Sequence, residues 1–176
     1  MYLSHDLNNA LQSTHNWISD LMWRLRWHDR ERVYEALTAT LHALRDSLDG
    51  DEAVYIGAQL PALLRGFYYE GWHPSRRAIA RNRNSFLDRI HYGVHRDPAV
   101  DPEEVARSVI AQLADRLSAA EIEEAKAATP RVLHYLWPAS DRRCLHERIH
   151  EATAGEEKRK AAPVLTSGLA ASSSKV

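Results

Sequence analysis

The amino-acid sequence matches itself when it is shifted by 69 residues, and this internal repeat limits the folds that the chain can adopt. The shift places Pro61 on Pro130 and Trp17 on Phe86 without a gap between them. The same register pairs Ile18 with Leu87, Leu21 with Ile90, Leu25 with Val94, Glu35 with Glu104, Leu44 with Leu113, Asp46 with Asp115, Leu48 with Leu117, Glu52 with Glu121, Leu64 with Leu133, Phe67 with Leu136 and Tyr68 with Trp137. A fixed period of this kind is what internal duplication leaves behind. Because only two copies are present, we expect one closed globule rather than a solenoid.

Each copy is predicted to contain four helices. Apolar residues recur at three- and four-residue steps from about Asn16 to His28 and again from about Glu31 to Leu48, which indicates amphipathic helices. Leu and Ala are abundant and β-branched runs are rare, as is typical of helical proteins. The predicted fold is therefore all-α, with two four-helix units packed about a pseudo-two-fold axis.

Capping residues predict where several helices begin. Asp49 with Glu52 predicts a helix from Gly50, and Ser118 with Glu121 forms a capping box of the expected spacing. The run 101–104 reads Asp-Pro-Glu-Glu, which combines a cap, a proline at the first helical position and two acids in the first turn. These capping signals define the helix starts of the second copy more clearly than those of the first copy.

Composition changes along the chain predict its organisation. The polar start is expected to be frayed, and the charged, then small and polar, end is expected to be disordered. The predicted segments are a flexible N-terminus 1–13, a first repeat 14–72, an Arg-rich linker 73–83, a second repeat 84–138, a C-terminal helix 139–154 and a disordered tail 155–176.

The stretch 58–72 predicts a short helix that opens at Pro61 and ends in a group of aromatic residues. Gly66 and Gly71 are expected to allow a close backbone approach or a helix stop. Aromatic residues and arginine are enriched at interface cores. The predicted interaction surface comprises Arg65, Tyr68, Tyr69, Trp72, Arg76 and Arg77. The alternative is that the aromatic residues pack inside the molecule, between the two copies.

Two histidine pairs raise the possibility of a metal site. His146-Glu147-Arg148-Ile149-His150 has two histidines one helical turn apart, and its glutamate could activate a zinc-bound water. His91 and His95 have the same spacing, so the two pairs could form a four-histidine site across an interface. A third zinc ligand is missing from the first motif. The alternative to a metal site at His146 and His150 is that this segment forms a polar surface helix. No cofactor is predicted.

The composition excludes several classes of protein. The 176 residues carry a net charge of −1, which lacks the basic excess of a nucleic-acid binder, so nucleic acid is an unlikely partner. Trp23 and Trp27 lie among arginines, which suits either a nucleic-acid or membrane surface or arginines stacked on indoles. No apolar run is long enough to span a bilayer, and one cysteine fits a reducing compartment. A cytoplasmic protein without membrane insertion is predicted.

The motifs of the first copy resemble an uncharacterised bacterial family, domain of unknown function 2267 (DUF2267). They are Gln59-Leu60-Pro61, Arg65-Gly66, the run 68–72 (Tyr-Tyr-Glu-Gly-Trp) and the preceding Ala43-Leu44-Arg45. The resemblance covers about residues 16–138 and implies an all-helical, internally duplicated domain. Family members usually keep a Gly-Glu and a second Leu-Pro in the later copy, where this chain has Ala120-Glu121 and Thr129-Pro130. The resemblance implies no catalytic residues.

The sequence predicts a non-enzymatic helical interaction or adaptor module that binds a protein partner or forms a homodimer. This prediction rests on the lack of a convergent catalytic set and on the aromatic residues beside the Arg-rich linker. The alternative is a metal-binding protein or zinc-dependent hydrolase that uses His146, Glu147 and His150.

Overall fold

The computed structural model describes residues 2–73 and 82–139, with side chains from residue 5 onward. Every regular element in these residues is helical, which confirms the predicted all-α class. Over the same residues, seven α-helices precede one 3₁₀ helix: α1 Tyr2–Leu25, α2 Arg30–Arg45, α3 Gly50–Ala58, α4 Ala62–Tyr69, α5 Arg83–Gly93, α6 Pro102–Ala114, α7 Ala119–Ala128 and the 3₁₀ helix Arg131–Leu136.

The predicted capping residues begin the helices that they were expected to begin. The Ser118 hydroxyl accepts a hydrogen bond from the backbone N–H of Glu121 at 3.3 Å, and the Glu121 carboxylate accepts one from the N–H of Ser118 at 2.6 Å. At the start of α3, the Glu52 carboxylate accepts from the N–H of Asp49 at 3.0 Å. Asp101 caps α6 and accepts from the N–H of Glu103. Each bond satisfies an N–H that has no partner inside its helix.

The predicted start of the first helix near Asn16 is wrong, because α1 begins at Tyr2. The amino-terminal part of α1 lies mostly exposed and is supported by contacts along its own surface. Gln12 donates to Asn16 at 2.9 Å, and Asn9 and His5 lie 3.0 Å apart, each pair one helical turn apart. Hydrogen bonds between side chains one turn apart and the helix propensity of leucine therefore stabilise α1 before the residues that pack against the core.

The first helix of each copy packs against the second helix of the other copy. α1 lies against α6 and α5 lies against α2, while α2 and α6 also contact each other. Large side chains from all four helices are completely buried where these contacts meet, among them Trp17, Leu37, Leu41, Ile90 and Ile110. The 69-residue shift exchanges the α1–α6 contact with the α2–α5 contact, so the two copies are interlocked in an equivalent way.

Helix bounds and backbone conformation recur at the 69-residue offset. α3 begins at Gly50 and α7 at Ala119. α1 and α5 are each followed closely by a residue in the left-handed backbone region, Arg26 and His95, both with a φ of 56°. This recurrence supports the predicted duplication, which stays a prediction about the origin of the chain.

The fourth element of the second copy is a 3₁₀ helix, whereas an α-helix was predicted there. Its six residues lie between Pro130 and Pro138, and the first copy has Tyr69 at the position equivalent to Pro138. A proline disfavours α-helical backbone in the residue before it, here Trp137. The segment therefore ends as a short, tight 3₁₀ helix.

Residues Met1–Ser140 form one compact unit that contains both repeats. The linker residues 74–81, with Arg76 and Arg77, lie outside the described residues. So do the predicted C-terminal helix beyond Ala139 and the predicted tail 155–176.

Candidate functional site

Tyr68, one of the residues predicted to form an interaction surface, belongs to the core. Its side chain is fully buried, and its hydroxyl donates a hydrogen bond to the carbonyl of Ala53 at 2.9 Å. Burial raises the pKa of the Tyr68 phenol, so the side chain is neutral at physiological pH. The buried Tyr68 side chain offers no exposed area to a partner, and the interaction surface predicted around it stays a prediction.

Tyr69 and Trp72 are half-buried and pack within the first copy. The Tyr69 ring meets the Tyr68 ring edge-on at 4.9 Å and the Trp72 ring at 5.3 Å. A Cβ atom added to Gly57 would lie 2.3 Å from the Tyr69 hydroxyl, so the glycine lets Tyr69 lie over α3. These contacts hold α4 against α3 within the first copy, and the alternative of packing between the two copies stays a prediction.

Arg65 closes the carboxyl end of α3. Its guanidinium donates to the carbonyls of Gly57 at 3.1 Å, Ala58 at 3.2 Å and Leu60 at 3.1 Å. These carbonyls lie at or beyond the last turn of α3, where backbone acceptors lack partners inside the helix. Arg65 thus has a structural role that its place in the sequence motif did not reveal.

Arg45 closes the carboxyl end of α4, and its own side chain is buried. Its guanidinium donates to the carbonyl of Tyr68 and to that of Glu70, the latter at 3.0 Å. It also forms an ion pair with Asp46 at 2.8 Å, and Asp46 forms a second ion pair with Arg89 of α5. This network links the end of the first copy to the first helix of the second.

Within residues 2–73 and 82–139, the two histidines of the α5 pair contact different groups. His91 Nε2 lies 3.2 Å from the carbonyl oxygen of Asp97, whereas His95 Nε2 lies 3.3 Å from a carboxylate oxygen of Glu35. Over residues 2–73 and 82–139, no group of three histidine, cysteine, aspartate or glutamate side chains is placed to hold a metal ion. His146, Glu147 and His150 lie outside the described residues.

Glu103 joins three elements of the second copy. Its carboxylate accepts from Arg83 at the start of α5 and from Arg107 one turn along α6, and the Tyr135 hydroxyl of the 3₁₀ helix lies 3.4 Å away. Burial acts to raise the pKa of Glu103, but the hydrogen bonds from both arginines outweigh it and the pKa is lowered. Glu103 therefore has a structural role, since it holds α5, α6 and the 3₁₀ helix together.

Two exposed aromatic side chains occupy equivalent positions in the two copies. Trp23 near the end of α1 is 83% exposed, and Tyr92 near the end of α5 is 72% exposed. Trp27, which the sequence analysis grouped with Trp23, instead stacks under the Arg32 guanidinium at 4.5 Å. The signal in the sequence was that Trp23 lies off the apolar stripe and coincides with Tyr92 in the repeat register.

Charged side chains lie near Tyr92 and next to Trp23 in the sequence. Tyr92 borders a groove of about 360 Å³ between α2 and α5, which Ala39, His42, Asp88, Arg89 and Gly93 also line. Arg24, the residue after Trp23, pairs with Asp115 at the end of α6. An exposed aromatic ring within a rim of ion pairs is typical of the centre of a protein interface.

Comparison with known proteins places the chain in a family. No protein with a curated description matches the chain itself. In the described part of the chain, no helix has both the length and the apolar character needed to cross a membrane. The family described as an uncharacterized conserved protein, DUF2267, matches residues 14–136, close to the range 16–138 over which the resemblance was predicted. This match spans well over half of the sequence, and the chain therefore belongs to the DUF2267 family.

Proposed function

We propose that this protein is a helical interaction module and that Trp23 and Tyr92 contact its protein partner. The observation that carries the proposal is the exposure of two large aromatic side chains at equivalent positions, 83% for Trp23 and 72% for Tyr92. Tryptophan and tyrosine dominate the binding energy of many interfaces. The proposed module acts in the cytoplasm, where its single cysteine would remain reduced.

The rigidity of both positions supports the proposal. Each aromatic residue lies on an α-helix that is held against the core by buried neighbours, Leu21 and Leu25 on α1 and Ile90 on α5. A helix that is already formed and packed loses little backbone freedom when a partner binds its surface. Arg96, which pairs with Asp88, lies 6.0 Å from the centre of the Tyr92 ring and supplies a polar edge there. Arg24, next to Trp23 in the sequence, pairs with Asp115.

The residues that the sequence singled out give less support. Tyr68 is buried and Arg65 is engaged by three carbonyls, so the interaction surface that we propose lies at the ends of α1 and α5 instead. Trp72 is half-buried against Tyr69, and its substitution would weaken the fold as well as any interface.

A capture experiment tests the proposal. The purified protein, immobilised, is exposed to an extract of the organism that encodes it, beside a Trp23→Ser/Tyr92→Ser double variant. Removal of one central aromatic residue from an interface costs about 2 kcal/mol or more, and a loss of about 4 kcal/mol for two residues corresponds to a roughly 700-fold weaker affinity. We therefore expect almost no partner to be retained. Quantitative mass spectrometry measures that retention.

The matched control is Val54→Ser/Val132→Ser, which changes two apolar side chains that are 50% and 49% exposed. It should retain the partner as the unchanged protein does. Equal capture by the unchanged protein and the Trp23→Ser/Tyr92→Ser variant would show that these residues are not the contact surface.

A further inference from the structure

A cleft of about 490 Å³ lies where α1, the connection between α3 and α4, and Arg116 after α6 come together. Trp17 and Asp20 line it from α1. The run 59–61 (Gln-Leu-Pro), which carried part of the family resemblance, lines it from the connection. Small-molecule sites have volumes of about 300–1,000 Å³, so the cleft is large enough for a small ligand.

Trp17 brings a buried hydrogen-bond donor to this cleft. The residue is 1% exposed, and among the described residues no atom accepts a hydrogen bond from its indole N–H. A buried donor without an acceptor destabilises a fold, and buried polar groups nearly always have a partner. Because Trp17 lines the cleft, a molecule bound there can supply the acceptor.

The second copy shows that packing does not require this N–H. Phe86 lies 69 residues after Trp17, at the equivalent position, and its apolar ring is fully buried. The position equivalent to Arg116 is Ser47, so the guanidinium has no counterpart either. This difference indicates that the indole N–H and the guanidinium serve a purpose other than packing.

The arginine of the cleft is held in place by two contacts. The Arg116 guanidinium lies 4.8 Å from the centre of the Trp17 ring, and one of its nitrogens lies 3.4 Å from a carboxylate oxygen of Asp20. Its other N–H groups have no acceptor among the described residues. The donors of a guanidinium form a planar fork that matches a carboxylate, so Arg116 is oriented to bind one.

The amino end of α4 borders the same cleft. Pro61, the residue before the first turn of α4, lines the cleft and forms no side-chain hydrogen bond to the N–H groups of that turn. The first N–H groups of a helix lack partners inside it and attract negative charge. The helix end, the guanidinium and the indole N–H therefore all favour a carboxylate in the cleft.

Asp20 supplies the opposite charge. Its side chain is 55% exposed, and its contact with Arg116 is long, so its carboxylate can also accept from a cationic group of a ligand. One arginine and one aspartate leave the lining without net charge, which disfavours a multiply charged anion such as a phosphate. The carboxylate and ammonium of an α-amino acid are attached to one carbon atom, so they suit an arginine and an aspartate that lie side by side.

We propose that this cleft binds a free L-α-amino acid with an apolar side chain. The carboxylate of the ligand accepts hydrogen bonds from the Arg116 guanidinium and the Trp17 indole N–H, and its ammonium group pairs with Asp20. The side chain of the ligand lies against Pro61. The site contains neither Trp23 nor Tyr92, so it adds a small-molecule ligand to the interaction role proposed above.

Isothermal titration calorimetry of the full chain with each common L-amino acid tests the proposal, at ligand concentrations up to about 1 mM. We expect at least one apolar amino acid to bind with one molecule per chain. Its analogues without the amino group or without the carboxylate, which for L-leucine are 4-methylpentanoate and 3-methylbutylamine, should bind at least about tenfold more weakly. Each analogue loses a hydrogen bond between charged groups.

Variants show whether the amino acid binds in the cleft. Arg116→Gln and Asp20→Asn change exposed side chains and should each weaken binding at least about tenfold. Trp17→Phe introduces the residue of the second copy, which removes the N–H and keeps a ring, and it should also weaken binding. The control Arg107→Gln removes an arginine of similar exposure, 48% against 42% for Arg116, that also pairs with a carboxylate. It should bind the amino acid as the unchanged protein does, and circular dichroism checks that all variants fold.

A chain that binds no amino acid would overturn the proposal and leave water as the acceptor of the Trp17 N–H. An acid without the amino group that binds as tightly as the amino acid would overturn the zwitterionic class of ligand. Unchanged binding in both Arg116→Gln and Asp20→Asn would show that the amino acid binds elsewhere. If capture of a partner still depends on Trp23 and Tyr92 in any of these cases, the proposed function stands and the cleft assignment alone fails.

Discussion

At the scale of single residues, the glycines show most clearly what the packing requires. A Cβ atom on Gly93 would lie 2.4 Å from the Cβ of Ala39, so the absence of a side chain allows α5 to approach α2 closely. Gly66 has open space around it, and the close approach considered for it in the sequence does not occur. Gly71 has a φ of +64°, as expected of a residue that ends a helix.

These two environments predict opposite effects of the same substitution. Gly93→Ala should destabilise the protein by about 1–3 kcal/mol, because the added methyl forces α5 away from α2. Gly66→Ala should stabilise it by about 0.5–1 kcal/mol, because alanine favours the helix and nothing obstructs its Cβ. Urea unfolding gives both values.

A double variant identifies the cause. Ala39→Gly removes the atom that the new methyl would meet, so it should recover part of the stability lost in Gly93→Ala. A Gly93→Ala protein as stable as Gly66→Ala would show that the two helices separate without cost.

At the scale of elements, two arginines close helix ends from different depths. Arg45 is 5% exposed and reaches the carbonyls beyond α4, whereas Arg65 is exposed and reaches those at the end of α3. Water can replace a donor at an exposed helix end but not at a buried one. The two ends should therefore differ in how much they depend on their arginine.

Replacement of each arginine with methionine compares the two ends, since methionine keeps helix propensity and much of the apolar stem. Arg45→Met should lower the free energy of unfolding by about 3 kcal/mol, because the buried carbonyl of Tyr68 and the partly buried carbonyl of Glu70 lose their donor and Asp46 loses an ion-pair partner. Arg65→Met should lower it by less, about 1 kcal/mol, because the Arg65 side chain is exposed and water can replace it at the exposed carbonyl of Ala58. Thermal unfolding followed by circular dichroism measures the free energy of unfolding of both variants. Equal losses of stability would contradict the buried environment of Arg45.

At the scale of the whole molecule, the two copies depend on each other for burial. α1 is covered by α6, and Gln112 of α6 donates to the carbonyl of Trp17 at 2.8 Å within that contact. α2 is covered by α5 in the equivalent way. Separation of the copies would expose core faces of both, so the molecule should fold as one cooperative unit.

A fragment of residues 1–73 is therefore predicted not to fold alone, because α1 and α2 would each lose the helix that covers them. Far-ultraviolet circular dichroism and dispersion of amide proton resonances check this. A fragment of residues 1–140, the compact unit, is the control and should fold with a single unfolding transition. A folded, monomeric 1–73 fragment would show that the copies are independent.

The sequence by itself determined the helices and the position of most core residues. A period of three to four residues marks the apolar face of a helix, and caps such as Ser118 with Glu121 act on backbone within one turn. Both signals are local, and the all-α class and the caps followed from them, whereas the family followed from the resemblance carried by motifs such as Gln59-Leu60-Pro61. The helical start of α1 was missed because an exposed helix needs no apolar partner and gives a weak periodic signal.

The tertiary structure alone decided which helix covers each face and which side chains are left exposed. Periodicity shows on which helix face Tyr68 and Trp23 lie. It does not show that α3 buries Tyr68, nor that the described residues leave Trp23 exposed. The partners of Arg45 and Arg65 are carbonyls at the ends of other elements, 23 and 25 residues away for Arg45 and five to eight for Arg65. Such contacts depend on how the chain returns on itself, because side-chain type and local spacing do not specify which distant backbone groups come near.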